Sequence, residues 1–138
     1  MKKVLILCTG NSCRSQMAEG LINHLIGDQW QAFSAGTRPA GYVNPLAIAA
    51  LDEISIDISQ QQSQSVNVYQ DMAFDAVITV CDNAAEDCPV WLGSGDTVRH
   101  IPFPDPFDAT GSHEEQLVVY CQVRDDIRRE VLGYLDKI

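Results

Sequence analysis

The chain alternates short apolar runs with amphipathic stretches. Val4, Leu5, Ile6 and Leu7 form a continuous apolar run that stops at a glycine-bearing loop, which predicts a buried strand over residues 3–7. Met17, Ala18, Leu21, Ile22 and Leu25 then recur at helical spacing and predict a first helix over 14–26, with Gly27 placed to end it. A second strand is expected over 31–35, stopped by Gly36. Pro45 suits the first turn of a second helix, which sets Ile48, Leu51 and Ile54 on one face. Residues 76–80 read as a third, wholly apolar strand, and 97–103 as a fourth. Ser112 and Glu115 have capping-box spacing before a long helix whose apolar face is Leu117, Tyr120, Cys121, Ile127, Val131 and Leu135.

Strands that alternate with helices imply parallel pairing. The expected fold is α/β: a three-layer sandwich around a small central four-stranded parallel sheet, in one domain spanning 1–138. Ligands of such sheets sit beyond the carboxyl ends of the strands. Chemistry-bearing residues fall there four times: Cys8 after strand one, Ser34 at the end of strand two, Cys81 after strand three, and Asp105 beyond strand four.

Composition narrows the partners. Apolar residues make up 46% of the 138, enough for a packed core. A net charge of −10 argues against nucleic acid and anionic membranes, which need a basic surface. It does not argue against a small anion held by backbone N–H groups and one arginine, because bulk charge is screened within roughly 8–10 Å. The apolar run near the N-terminus is too short for a secretory segment, and no stretch approaches the roughly 20 apolar residues of a membrane span. A cytoplasmic monomer is expected, with its five cysteines reduced and available for redox work.

The loop from Cys8 to Ser15 reads CTGNSCRS. Successive N–H groups of Thr9, Gly10, Asn11, Ser12, Cys13 and Arg14, turning into a helix N-terminus, suit an anion-binding nest. Gly10 and Asn11 tolerate positive φ, and the Arg14 fork can take two oxygens of one tetrahedral anion. The same field should hold Cys8 as a thiolate. The bland alternative is a buried cysteine before an ordinary turn. Ser15 can hydrogen-bond Cys8, cap the helix, or both. Neither a Walker A ending nor a Gly-x-Gly fingerprint is present. No Cys/His cluster has metal-ligand spacing, so no metal is expected. Cys13 and Cys121 read first as packing residues, and His24, His100 and His113 as surface or packing residues.

The run CTGNSCRSQMAEG resembles the active-site loop and first helix of the low-molecular-weight tyrosine phosphatase fold, and within that superfamily the thioredoxin-coupled arsenate reductases. The resemblance continues through Ser34-Ala35-Gly36, Val43-Asn44-Pro45, Ile56-Asp57-Ile58-Ser59, VCDNAAEDCP, FPDP and VRDDI. It implies that Cys8 attacks arsenate, for which phosphate competes. Cys81 would then take Cys8 into a disulfide as arsenite leaves, and Cys88 would resolve it to Cys81–Cys88 for thioredoxin. It implies Asp105, before Pro106, as the acid that protonates the departing oxygen. Phosphatases of this fold need only one thiol, and often carry tyrosine where Phe107 stands. The other readings are a phosphatase on phosphotyrosine or small phosphoesters, and a non-enzymatic oxyanion or redox sensor. From the residues alone, Cys81 also fits a core position and Asp105 a turn. No tightly bound cofactor is implied. Some relatives hold potassium through residues matching Asn11, Glu19 and Ser34 plus an aspartate. Gln62-Ser63-Gln64 stands at that place here, which puts a potassium site in doubt.

Overall fold

The computed structural model describes residues 1–82, 94–95 and 97–138. In chain order the elements are β1 (Lys2–Cys8), α1 (Arg14–Leu25), β2 (Trp30–Gly36) and α2 (Pro45–Asp52), then a 3-10 turn, Val66–Tyr69. β3 (Ala73–Phe74), β4 (Ala76–Thr79), β5 (Ser94–Gly95) and β6 (Val98–His100) follow. A second 3-10 turn, Pro106–Asp108, precedes α3 (His113–Ile127), which runs on through a π turn, Arg128–Leu132, into α4 (Gly133–Asp136).

The expected four-stranded parallel sheet is present, ordered β2-β1-β4-β6. β1 lies inside it and is buried on both faces, which explains its unbroken apolar run. The strand's period of two splits that run between two cores. Val4, Ile6 and Cys8 pack with α1, α2, α3 and the π turn, around Leu21, Ile22, Leu51, Tyr120 and Ile127. Leu5 and Leu7 pack on the other face with Ala35, Phe74 and Val77, where the 3-10 turn and a Phe33–Tyr69–Phe74 aromatic cluster cover them.

Several expectations change in detail. The fourth strand is shorter than 97–103, and the third stops at Thr79, two residues before Cys81. Ser34 lies inside β2 rather than at its end. β3 and β5 form an extra two-residue parallel pair, too short for any periodicity to announce. α2 ends at Asp52, and Ile54 lies beyond it, because Ser55 turns left-handed at φ 63°. Cys121 is only partly buried, its thiol donating to Glu53 Oε1 at 3.3 Å, so it is not the core residue expected. Among the described residues, no helix is long and apolar enough to cross a membrane.

Both halves of the predicted capping box form: Ser112 Oγ accepts from Glu115 N, and Glu115 Oε1 accepts from Ser112 N. Ser112→Ala should therefore cost about 1 kcal/mol of stability in urea unfolding while leaving anion binding unchanged.

Candidate active site

Cys8 is the last residue of β1, buried, and in register with Gly36 of β2. The chain then has to turn from a strand into α1 within five residues, and the way it turns creates the site. The carbonyl oxygens of Thr9, Gly10 and Ser12 accept from the main-chain N–H groups of Arg38, Ala40 and Asn44, at 3.0, 2.8 and 2.9 Å. The Asn11 carbonyl accepts from Gln16 Nε2 at 3.0 Å. In a planar trans peptide the next N–H points opposite to the carbonyl. Four outward carbonyls therefore turn the N–H groups of Gly10, Asn11, Ser12 and Cys13 the other way. Asn11 makes the bend at φ 48°, a conformation that asparagine tolerates and β-branched residues do not. Gly36 has no side chain for a related reason: a Cβ there would strike the Thr9 carbonyl.

Arg14 is the first residue of α1 and almost wholly buried. A guanidinium so placed needs partners. Its Nη1 donates to the Phe103 carbonyl at 3.1 Å, and its Nη2 lies 3.5 Å from Asp105 Oδ2. Asp105 also caps the second 3-10 turn, its Oδ1 accepting from Phe107 N at 3.0 Å, so it is a turn aspartate and faces the site as well. Cys8 to Arg14, Ala40, Tyr42, Asp105 and Phe107 line one cavity of about 270 Å³. Tyr42 (50% exposed) and Phe107 (60%) stand at it as solvent-facing aromatics. Tyr42 escaped the sequence reading because nothing local marks it. It reaches the cavity only because residues 38–44 are laced to the loop.

Behind the loop lies a second polar layer. Asn11 Nδ2 donates to Ser15 Oγ and Ser34 Oγ at 2.8 and 2.9 Å, and Ser34 donates to Glu19 Oε1 at 2.7 Å. Ser15 is thus inside α1 and does not cap it. The cap position is Cys13, with no side-chain cap bond. Burial pushes the Glu19 carboxyl up to about 7, against the opposing Ser34 hydrogen bond. Asn11 Oδ1 already accepts from Gln64 N and Gln16 Nε2. The Asn11 amide oxygen is thus taken up by N–H donors and one Glu19 oxygen by the Ser34 hydroxyl, and no aspartate stands at 62–64, a set that does not fit that ion.

The other cysteines separate. Cys13 is buried, its sulfur 3.5 Å from Tyr120 Oη and 3.6 Å from Ser12 Oγ, and burial above all raises its pKa. Cys81 is fully buried just past β4, beside the end of β1, and is disulfide-bonded, whereas Cys8, Cys13 and Cys121 are reduced. Cys88, and the expected change of shape between it and Cys81, lie outside the described residues. His24 bonds the Gly20 carbonyl and His100 the Thr79 hydroxyl, while His113 is exposed at the start of α3.

The fold and the loop define a class: an α/β protein with a thiol at the carboxyl end of a central strand, beside a turn whose carbonyls face outward. Residues 3–138 match the low molecular weight phosphotyrosine protein phosphatase family, and the chain belongs to that family. An arsenate reductase of Halalkalibacterium halodurans is 44% identical over 135 residues, covering 98% of this chain and 96% of the relative. One of Bacillus subtilis is 41% identical, covering 91% and 89%. Among solved structures, an arsenate reductase in the phosphate binding state superimposes with a TM-score of 0.83 at 33% identity, covering 100% and 99% of the two chains. A low molecular weight protein tyrosine phosphatase from T. tengcongensis reaches 0.76 at 24% identity over both full chains, a likeness of fold.

Glu19 has a testable signature. Its folded pKa lies above the ordinary carboxylate value, so the folded state binds the proton more tightly. Its contribution to stability should fall as pH rises from about 4.5 to about 7. In Glu19→Gln this part of the pH dependence of Tm should disappear, because the amide keeps the acceptor for Ser34 without the charge. An unchanged Tm profile would contradict the assignment.

Proposed function

We propose that this chain reduces arsenate to arsenite in the cytoplasm, as a monomer, with Cys8 as nucleophile and thioredoxin as the electron donor. The observation that carries the reading is the pairing of cysteines at adjacent strand ends. Cys8 closes β1, and Cys81 follows β4, the neighbouring strand, so the two thiols sit at adjacent strand ends. A phosphatase has no use for the second thiol. The names of the relatives point the same way.

In this mechanism the N–H groups of the loop and the Arg14 fork hold three arsenate oxygens. The Cys8 thiolate attacks arsenic, and Asp105 protonates the oxygen that departs as water. Ser15, which accepts from Asn11 and keeps its own hydrogen to donate, steadies the thiolate. Cys81 then attacks the Cys8 sulfur. The arsenic–sulfur bond breaks, its electron pair stays on arsenic, and arsenite leaves a Cys8–Cys81 disulfide. Cys88 displaces Cys8 from Cys81, and the resulting Cys81–Cys88 bond is reduced from outside. Tyr42 and Phe107, exposed at the cavity, favour a weaker second activity on aryl phosphates over the same loop.

The test is arsenite release with thioredoxin, thioredoxin reductase and NADPH, set against glutathione with glutaredoxin. Thioredoxin should sustain turnover and glutathione should not. Cys88→Ser should release one arsenite per enzyme and stop, with Cys8 joined to Cys81 in peptide maps. If Cys88→Ser turns over normally, the cascade is wrong. Arg14→Lys should lower turnover about a hundredfold despite its retained charge, since an ammonium cannot reproduce the fork. Near-wild-type activity would make Arg14 structural.

A further inference from the structure

Three of the four outward carbonyls in the oxyanion loop are held by main-chain N–H groups, which no change of side chain short of proline removes. The fourth, that of Asn11, is held by a side chain. Gln16, fully buried in the first turn of α1, donates through Nε2 to the Asn11 carbonyl at 3.0 Å and to Asn11 Oδ1 at 3.1 Å, and also to the Gln62 carbonyl at 2.9 Å. One carboxamide thus grips both oxygens of the residue that makes the left-handed bend.

The orientation of that carboxamide is fixed by its neighbours. Gln61 lies against the Gln16 main-chain carbonyl at 3.0 Å and against Gln16 Oε1 at 2.8 Å. A carbonyl oxygen only accepts, so Gln61 must present its NH2 there. Gln16 must then turn its oxygen to Gln61 and its NH2 to Asn11, whose carbonyl likewise only accepts. The two glutamines lock each other, and α1 and the 61–64 segment are locked to the loop with them.

We infer that Gln16 is a positioning residue of the oxyanion site: by holding the Asn11 carbonyl outward it aims the Ser12 N–H at the bound anion, with Gln61 setting its direction. The inference rests on the loop's role in the proposed function. It does not rest on the redox steps. Without the Gln16 donors, the Asn11–Ser12 peptide can rotate, one inward donor is lost, and the thiolate loses part of the field that stabilises it. The lost donor would serve substrate and transition state alike, so KM should rise with little change in kcat.

The experiment measures protection of Cys8 from alkylation by inorganic phosphate, with no reductant or arsenate present, on wild type, Gln16→Met, Gln16→Glu and Gln61→Leu. Wild type should be protected; if it is not, the oxyanion reading itself fails. Gln16→Met, of similar length but without a donor, should weaken phosphate about tenfold, the scale of one hydrogen bond to a charged group. Gln16→Glu sets a carboxylate against two oxygens of Asn11 and should be weaker still. Gln61→Leu, which leaves Gln16 in place but unlocks it, should fall between wild type and Gln16→Met. This order separates positioning from packing, because a packing role would make the isosteric glutamate milder than methionine. If Gln16→Met loses its native circular dichroism, Gln16→Glu against Gln61→Leu decides by the same order. Phosphate binding within twofold of wild type in all folded variants, or glutamate milder than methionine, overturns the inference.

Discussion

The site depends on one constraint: the four carbonyl oxygens from Thr9 to Ser12, in the turn between β1 and α1, must all find donors on its outer side. Arg38, Ala40, Asn44 and Gln16 supply them. Once they do, peptide planarity leaves the N–H groups of Gly10, Asn11, Ser12 and Cys13 no direction but inward. The concavity proposed to hold the anion follows from hydrogen-bond accounting on its far side. The left-handed Asn11, the bare Gly36 beneath Thr9 and the start of α2, where Asn44 both caps the helix and donates to Ser12, all serve that arrangement.

Charge is managed in the same way. Arg14 is buried with the Phe103 carbonyl and Asp105 as partners, and that ion pair brings the proposed acid to the arginine that would hold the substrate. An incoming oxyanion would share Arg14 with Asp105, which sets the proposed acid beside the bound substrate. Behind the loop, Glu19 is buried against Ser34, and its proton affinity rises accordingly. The net negative charge of the chain bears little on this, because Cys8 and Arg14 are buried and would act on the anion at close range.

What the sequence made legible was local. The apolar run of β1, the helical spacing behind the loop and the Ser112–Glu115 box are short-range patterns, and each of these elements formed where expected. The cavity residues Cys8 to Arg14 were legible because they are contiguous, and Asp105 because it follows a strand of the same sheet. What escaped was long-range. Tyr42 reaches the cavity through main-chain bonds between residues 38–44 and the loop. Gln16 and Gln61 find each other across 45 positions. β3 and β5 are two residues each, below any readable period, and the left-handed Ser55 that ends α2 early is not a residue type that announces such a turn.

The measurement that bears most directly on the inward nest is the pH dependence of Cys8 alkylation with and without phosphate. A thiolate facing four inward N–H groups and Arg14 should form well below the free-thiol value of about 8.5. Bound phosphate should both shield it and move the midpoint upward, since the anion competes for the same donors. A midpoint near 8.5 that phosphate leaves unmoved would contradict the account, whatever activity the protein proved to have.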